Sequence, residues 1–201
     1  HRVRENLKVI VGNLNDIHFE QKYDYVTLIG VLEYAGRYTN DGNPYLAFLE
    51  KVGGLLKEQG TLLLAIENKF GLKYWSGSRE DHTGRLFDGL EDYPEFPINA
   101  IRTFSKKELE ILLGKAGFTS LKFYYPFPDY KLPIYIFSDD FVPTRGLQNQ
   151  FVDSYDQERL LLYDEDKVLQ NIIQDGQFGF FANSFLVVCQ KGGEIDELGL
   201  R

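Results

Sequence analysis

The chain has 201 residues, 43% of them hydrophobic, enough for one domain with a real core and too many for wholesale disorder. Its formal net charge of −8 argues against a nucleic-acid partner and against docking on an anionic membrane, since both need a basic surface. No apolar run approaches the ~20 residues of a membrane span, and the opening "HRVRENLKVI" lacks the apolar core of a secretory leader, so a cytoplasmic protein is expected.

"LKVIVG" (Leu7–Gly12) is a β-branched run closed by a glycine and reads as a strand. A polar loop leads to a second strand, Asp24–Gly30, in "YDYVTLIGVLEYAG". In both, apolar residues run on rather than alternate, as in parallel strands buried on two faces. "NDGNPYLAFLEKVGGLLKEQG" reads as a helix capped by Asn43, with Pro44 first and Gly60 closing it. "TLLLAIEN" (Thr61–Asn68) is the third strand. "TFSKKELEILLGKAGF" is a helix with a Ser105–Glu108 capping box, a stripe of Leu109, Leu112, Leu113 and Ala116, and a stop at Gly117. "TSLKFYYPF" and "NSFLVVCQK" are two more strands. Between them, Pro128–Ala182 is an insertion holding "DQERLLLYDEDKVLQNIIQDG", a helix broken near Asp164. Its leucines and isoleucines are too apolar to stay solvated, so it is expected to be an ordered helical cap or a homo-oligomer interface.

Strands alternating with helices imply a Rossmann-like α/β fold, an open and mainly parallel sheet flanked by helices. The partition expected is 1–127 with 183–191 as the α/β domain, 128–182 as the insertion and 192–201 as a tail. Ligands in such sheets sit at the carboxyl ends of the strands, here Gly12–Asn15, Gly30–Tyr34 and Glu67–Asn68. A glycine there lets a ligand approach the backbone, and Glu33 and Tyr34 follow Gly30 at the mouth. Its plainer alternative is a tight turn with a solvated acid.

Four segments in order carry a resemblance. "VIVGNLNDI", "YDYVTLIGVLEY", "LLKEQGTLLLAIEN" and "TFSKKELEILLGKAGF" resemble the "xxxGDaxxlpF", "fDxVxxxxvLeH", "LkpGGxlllxxpN" and "xxxelxxlLxxaGF" segments of class I S-adenosylmethionine-dependent methyltransferases. The family's strand order is 3-2-1-4-5-7-6, and the resemblance makes "LKVIVG" its strand 3 and "YVTLIG" its strand 4. By position it assigns Asn13 and Leu14 to the adenine edge of the cofactor and Ile29 and Gly30 to its methionine part. Asn13 stands where the family has Asp, and an Asx turn is the other reading of Asn13–Asn15. The family's Gly-rich loop and first two strands have no counterpart in the chain, which also opens without a Met. The expectation is the C-terminal part of a longer methyltransferase, partnered by an N-terminal segment of the same protein and not binding S-adenosylmethionine alone.

"ENKFGLKYWSGSREDHTGRLFDGLEDYP" resembles methyltransferase domains of bacterial polysaccharide biosynthesis proteins fused to glycosyltransferases. That resemblance implies O-methylation of a sugar or glycan precursor. Tyr74, Trp75, Arg79, Asp81 and Arg85, with Tyr34 and Asn68, mix aromatic faces with charges as a polyhydroxylated acceptor requires. A solvated loop with its aromatics tucked away is the alternative. His82, after Glu80 and Asp81, is the candidate general base, with Glu33 the substitute if burial raises its pKa. The dispersed histidines and lone Cys189, read as a buried structural thiol, give no metal-ligand spacing, so no metal is expected. Two rivals stay open: a non-catalytic methyltransferase-fold interaction module, and a Rossmann-class nucleotide-sugar enzyme, which would need a Gly-rich first loop or a Tyr-x-x-x-Lys pair.

Overall fold

The computed structural model describes residues 6–37, 42–95, 101–144, 146, 160–193 and 195. Strands β1 (Tyr23–Ile29), β2 (Leu56–Glu67), β3 (Ser120–Phe127), β4 (Tyr135–Ser138) and β5 (Ser184–Gln190) form one open sheet in the order β1-β2-β5-β3-β4. β1 pairs with β2 in parallel, while β5 is antiparallel to both β2 and β3, and β4 is antiparallel to β3. The sheet is therefore mixed, not mainly parallel, because the last strand enters in reverse between β2 and β3. β1, β2 and β3 still point one way, so Ile29, Glu67 and Phe127 end at the same edge.

On one face, Leu62, Leu64 and Ile66 of β2 lie opposite Cys189, Val187 and Phe185 of β5. They join Leu28, Phe123 and Tyr125 in a single core with Phe48, Leu49 and Val52 of α1 (Pro44–Gly54) and Leu109, Leu112 and Leu113 of α3 (Lys106–Lys115). Asn43 caps α1 through the Leu46 amide, and Ser105 and Glu108 form both hydrogen bonds of the expected capping box on α3. Gly117 takes φ +90° just past α3, as a left-handed C-terminal stop does.

Several boundaries differ from the sequence expectation. α1 stops at Gly54, not Gly60, because two adjacent glycines are poor helix formers. "LKEQG" instead opens β2, with a bulge that pairs Tyr23 with Leu56 but Tyr25 with Thr61. Gly60 serves that bulge, since a Cβ there would lie 2.9 Å from the Tyr23 carbonyl oxygen. β1 is buried on one face only: Leu28 is 5% exposed, while Tyr25 is 63% and Ile29 47% exposed. Leu7–Gly12 is not a strand, and Val9 and Val11 are exposed. A strand requires a partner ladder, and no described strand lies beside it to supply one.

In the insertion, α4 (Glu165–Gln174) begins at an Asp164 cap, where the break was expected, and packs Leu169 into the core. Leu160, Leu161 and Leu162 precede it and are exposed, against expectation, while Tyr163 and the helical stripe beyond Asp164 pack on the core. The expected helical start, 156–159, lies outside the described residues. β4 and the short α5 (Phe178–Phe181) make the segment more than a helical cap, because β4 extends the sheet. No described helix is long and apolar enough to cross a membrane.

Candidate functional site

At the end of β1 the Gly30 amide donates to the Ala65 carbonyl (3.0 Å), and its φ of +61° swings the chain off the sheet. A 3-10 turn, Leu32–Arg37, then brings Glu33 inward until it is 1% exposed. Glu67, at the end of β2, is equally buried. The loop after β2 folds over this edge through α2 (Leu72–Trp75) and a turn built on Glu80. Glu80 Oε2 accepts the amides of His82 and Thr83, each at 2.7 Å, and Tyr93 donates its hydroxyl proton to Oε1 at 3.1 Å. The Tyr93 hydroxyl also meets Thr103 Oγ1 at 2.7 Å, which ties the loop to the strand side of α3. Such anchors hold Phe87, Asp92 and Tyr93 at φ of 64°, 63° and 56°, in the left-handed region.

His82 points into the fold as expected, its side chain 5% exposed, with Nδ1 2.9 Å from Glu80 Oε1 and Nε2 3.8 Å from Glu33 Oε1. Its ring stands edge-on to Tyr34 at 5.2 Å. Burial pushes the His82 pKa down, but the nearby Glu33 carboxylate, the hydrogen bond to Glu80 and the charges of Glu80 and Glu67 outweigh it and raise it to about 10. Neighbouring carboxylates thus raise its pKa, as expected, and by enough to disfavour the neutral ring that a general base needs at neutral pH.

Glu67 Oε1 accepts from Tyr130 Oη (3.2 Å) and from Lys131 Nζ (3.1 Å). Burial raises the Glu67 pKa, with Lys131 and Lys73 acting against it. For Lys131, burial opposes the charge, but Glu67 and Asp81 more than restore it and its pKa is raised. Asp81 accepts from Tyr74 Oη and, at 2.7 Å, from Lys73 Nζ. Burial works against its charge, yet Lys73 and the Tyr74 hydrogen bond leave its pKa lowered. Tyr130 also explains Gly30: a Cβ at that glycine would lie 2.8 Å from the Tyr130 hydroxyl. The backbone is approached closely, and the visitor is a side chain of the same protein.

Glu33, Tyr34, Tyr74, Asp81 and His82 thus gather at one edge beside Gly30. Other sequence-nominated residues do not face this cluster. Asn68 gives its amide hydrogens to the Phe180 and Ala182 carbonyls (2.8 and 2.7 Å) and accepts the Phe70 amide, so it latches two loops together. Trp75 is exposed against Phe181, Arg79 bonds the Gly84 carbonyl, and Arg85 pairs with Glu95. Asn13 accepts the Asn15 amide at 3.0 Å and caps Leu14–Asp16, while Leu14 packs on the core, so the Asx turn is present. Ile29 is 47% exposed on the outer face of β1. Sequence reasoning gave no role to Tyr130 and Lys131, which were assigned to the insertion. Their signal is positional: they follow β3, whose carboxyl end shares the edge of β1 and β2.

No protein-family profile and no curated protein matches the sequence. Among solved structures, a SAM-dependent methyltransferase of Thermotoga maritima is 14% identical with TM-score 0.43, over 90% of this chain and 62% of that one. One from Archaeoglobus fulgidus is 11% identical with TM-score 0.42, over 85% and 60%. The complex of the Haloferax volcanii Trm112 methyltransferase activator gives 13% identity and TM-score 0.46, over 94% and 62%. The chain spans about 60% of the length of the structures it matches. These likenesses concern outline only, and the fold assignment rests on the strand order described above.

Proposed function

We propose that this chain is the C-terminal part of a class I S-adenosylmethionine-dependent methyltransferase acting on a hydroxyl of a sugar or glycan precursor in polysaccharide biosynthesis. The observation that carries the reading is topological. The order β1-β2-β5-β3 corresponds to 4-5-7-6 of the family's 3-2-1-4-5-7-6, and the resembling segments fall on β1, β2 and α3 in the matching places. The described residues offer only part of a cofactor site. None forms a Gly-rich strand–turn–helix unit, and Asn13 already caps its own turn. No step is therefore routed through the cofactor, whose chemistry in the family is to supply a methyl group.

What these residues do concerns the acceptor side. A hydroxyl must lose its proton during attack, and a group with a pKa moved toward neutrality suits that task. Glu67 takes the role first given to His82: it is buried, its pKa is raised, and Lys131 and Tyr130 hold one of its oxygens in place. His82 lies between Glu33 and Glu80, and the loop above the edge would exclude water from a bound acceptor. In the full-length protein, Glu67→Gln should lower methyl transfer to sugar acceptors by about 10²-fold or more while leaving cofactor affinity unchanged. Cofactor binding without transfer to any hydroxylated acceptor would favour the interaction-module rival, which the missing Gly-rich unit otherwise supports.

A further inference from the structure

Glu33 and Glu67 share an unusual feature: in each, Oε2 is buried without a hydrogen-bond partner. Both side chains are 2% exposed, so water does not satisfy these oxygens from outside. An anionic oxygen in that state is costly unless a cation meets it. One carboxylate oxygen from each residue and a ring nitrogen of His82 lie within 4.8 Å of one another. They come from three separate elements, the turn after β1, the end of β2 and the loop above.

The surroundings are arranged around that trio. Nδ1 of His82 is bound to Glu80 Oε1 at 2.9 Å, which turns Nε2 toward Glu33 at 3.8 Å. A carboxylate on the far ring nitrogen is how metal-ligating histidines are usually oriented. Glu80 is itself fixed by the amides of His82 and Thr83 and by the Tyr93 hydroxyl. Lys131 and Tyr130 engage Oε1 of Glu67 and leave Oε2 free.

We propose that Glu33, Glu67 and Nε2 of His82, which gives up its proton to solvent on binding, form a binding site for one divalent transition-metal ion of the Mn2+ or Zn2+ class. Two carboxylates and an imidazole suit these ions better than Mg2+ or Ca2+, which favour all-oxygen shells. Donors on a common ion at about 2.1 Å lie about 3 to 4 Å apart, so the trio must close by about 1 Å. Small rotations of two carboxylates accomplish this. The site reverses the expectation of no metal, which was drawn from the spacing of histidines and is blind to a set with only one. It stands on the geometry of this edge and does not depend on methyl transfer; an ion there would take Glu67 out of the general-base role, since a cation-bound carboxylate loses its raised pKa.

The test is calorimetric titration of the chelator-treated 201-residue chain with MnCl2 and, separately, ZnSO4. One equivalent per chain is expected with either ion. Glu33→Gln and Glu67→Gln should each weaken binding at least about 10-fold while the melt stays cooperative, and Glu80→Gln should weaken it less. Should a variant fail to fold, substoichiometric Mn2+ added to the unaltered protein should broaden the ring resonances of His82 and Tyr34 before those of His18. No stoichiometric binding at sub-millimolar metal, equal binding in both folded Gln variants, or equal broadening at His18 would overturn the site.

Discussion

Gly30 combines two demands that no other residue meets: a φ of +61° and a Tyr130 hydroxyl where a Cβ would stand. Gly30→Ala should therefore cost about 1–3 kcal/mol by chemical denaturation. Adding Tyr130→Phe should recover the steric part and not the dihedral part. Complete recovery would show that the dihedral is not strained. His82 makes a second prediction. Its folded pKa is raised from 6.5 to about 10. A raised pKa contributes stability that is fully present below the unfolded value and is lost as pH rises through the folded one. In chelator-treated protein its ring resonances should not titrate between about pH 6 and 8, and stability should decline from about 6.5 toward 10. A midpoint near 6.5 by NMR would restore His82 as a candidate base. The inward placement of His82 was legible, whereas Glu33, expected at the mouth of the crevice, is buried. The charge state of His82 was not, because it depends on Glu33 and Glu67, which are distant in sequence.

Among elements, α3 was read from its sequence down to the capping box, because cap and stripe are local. Ser105→Ala should cost about 1 kcal/mol in thermal or chemical unfolding. Burial works against the Glu108 charge, yet the Ser105 amide and Lys69 hold its pKa below the usual value. A lowered carboxylate stabilises the fold above its unfolded pKa and loses that contribution as pH falls through the folded one. Glu108→Gln should flatten the decline in melting temperature on acidification below the ordinary value of 4.5; an unchanged slope would mean the carboxylate is not held this way. The α1–β2 boundary was misread for a tertiary reason. "LLKEQG" has no strong strand pattern, and it becomes strand only because Tyr23 and Tyr25 pair across the bulge. The "LKVIVG" run shows the converse. It has strand propensity and no partner ladder among the described residues, so it stays outside the sheet and exposed.

For the whole molecule, β1 is an edge strand whose outer face shows Tyr25 and Ile29 to solvent. No described residues build the Gly-rich cradle of the resembled family. The 201-residue chain should accordingly show no measurable S-adenosylmethionine binding by calorimetry, and micromolar affinity would overturn the assignment of this chain to the part lacking that cradle. What the sequence by itself determined is the set of local facts: an apolar core, the α3 cap, the Asx turn at Asn13, and polar residues closing β1 and β2. Backbone hydrogen bonds within a few residues and apolar periodicity decide these, and both are written along the chain. Tertiary structure alone decided that β5 enters reversed between β2 and β3, that β4 widens the sheet, and that Tyr130 and Lys131 reach Glu67. Each of those depends on long-range pairing and on burial of charge, whose free energy exists only once distant segments have met.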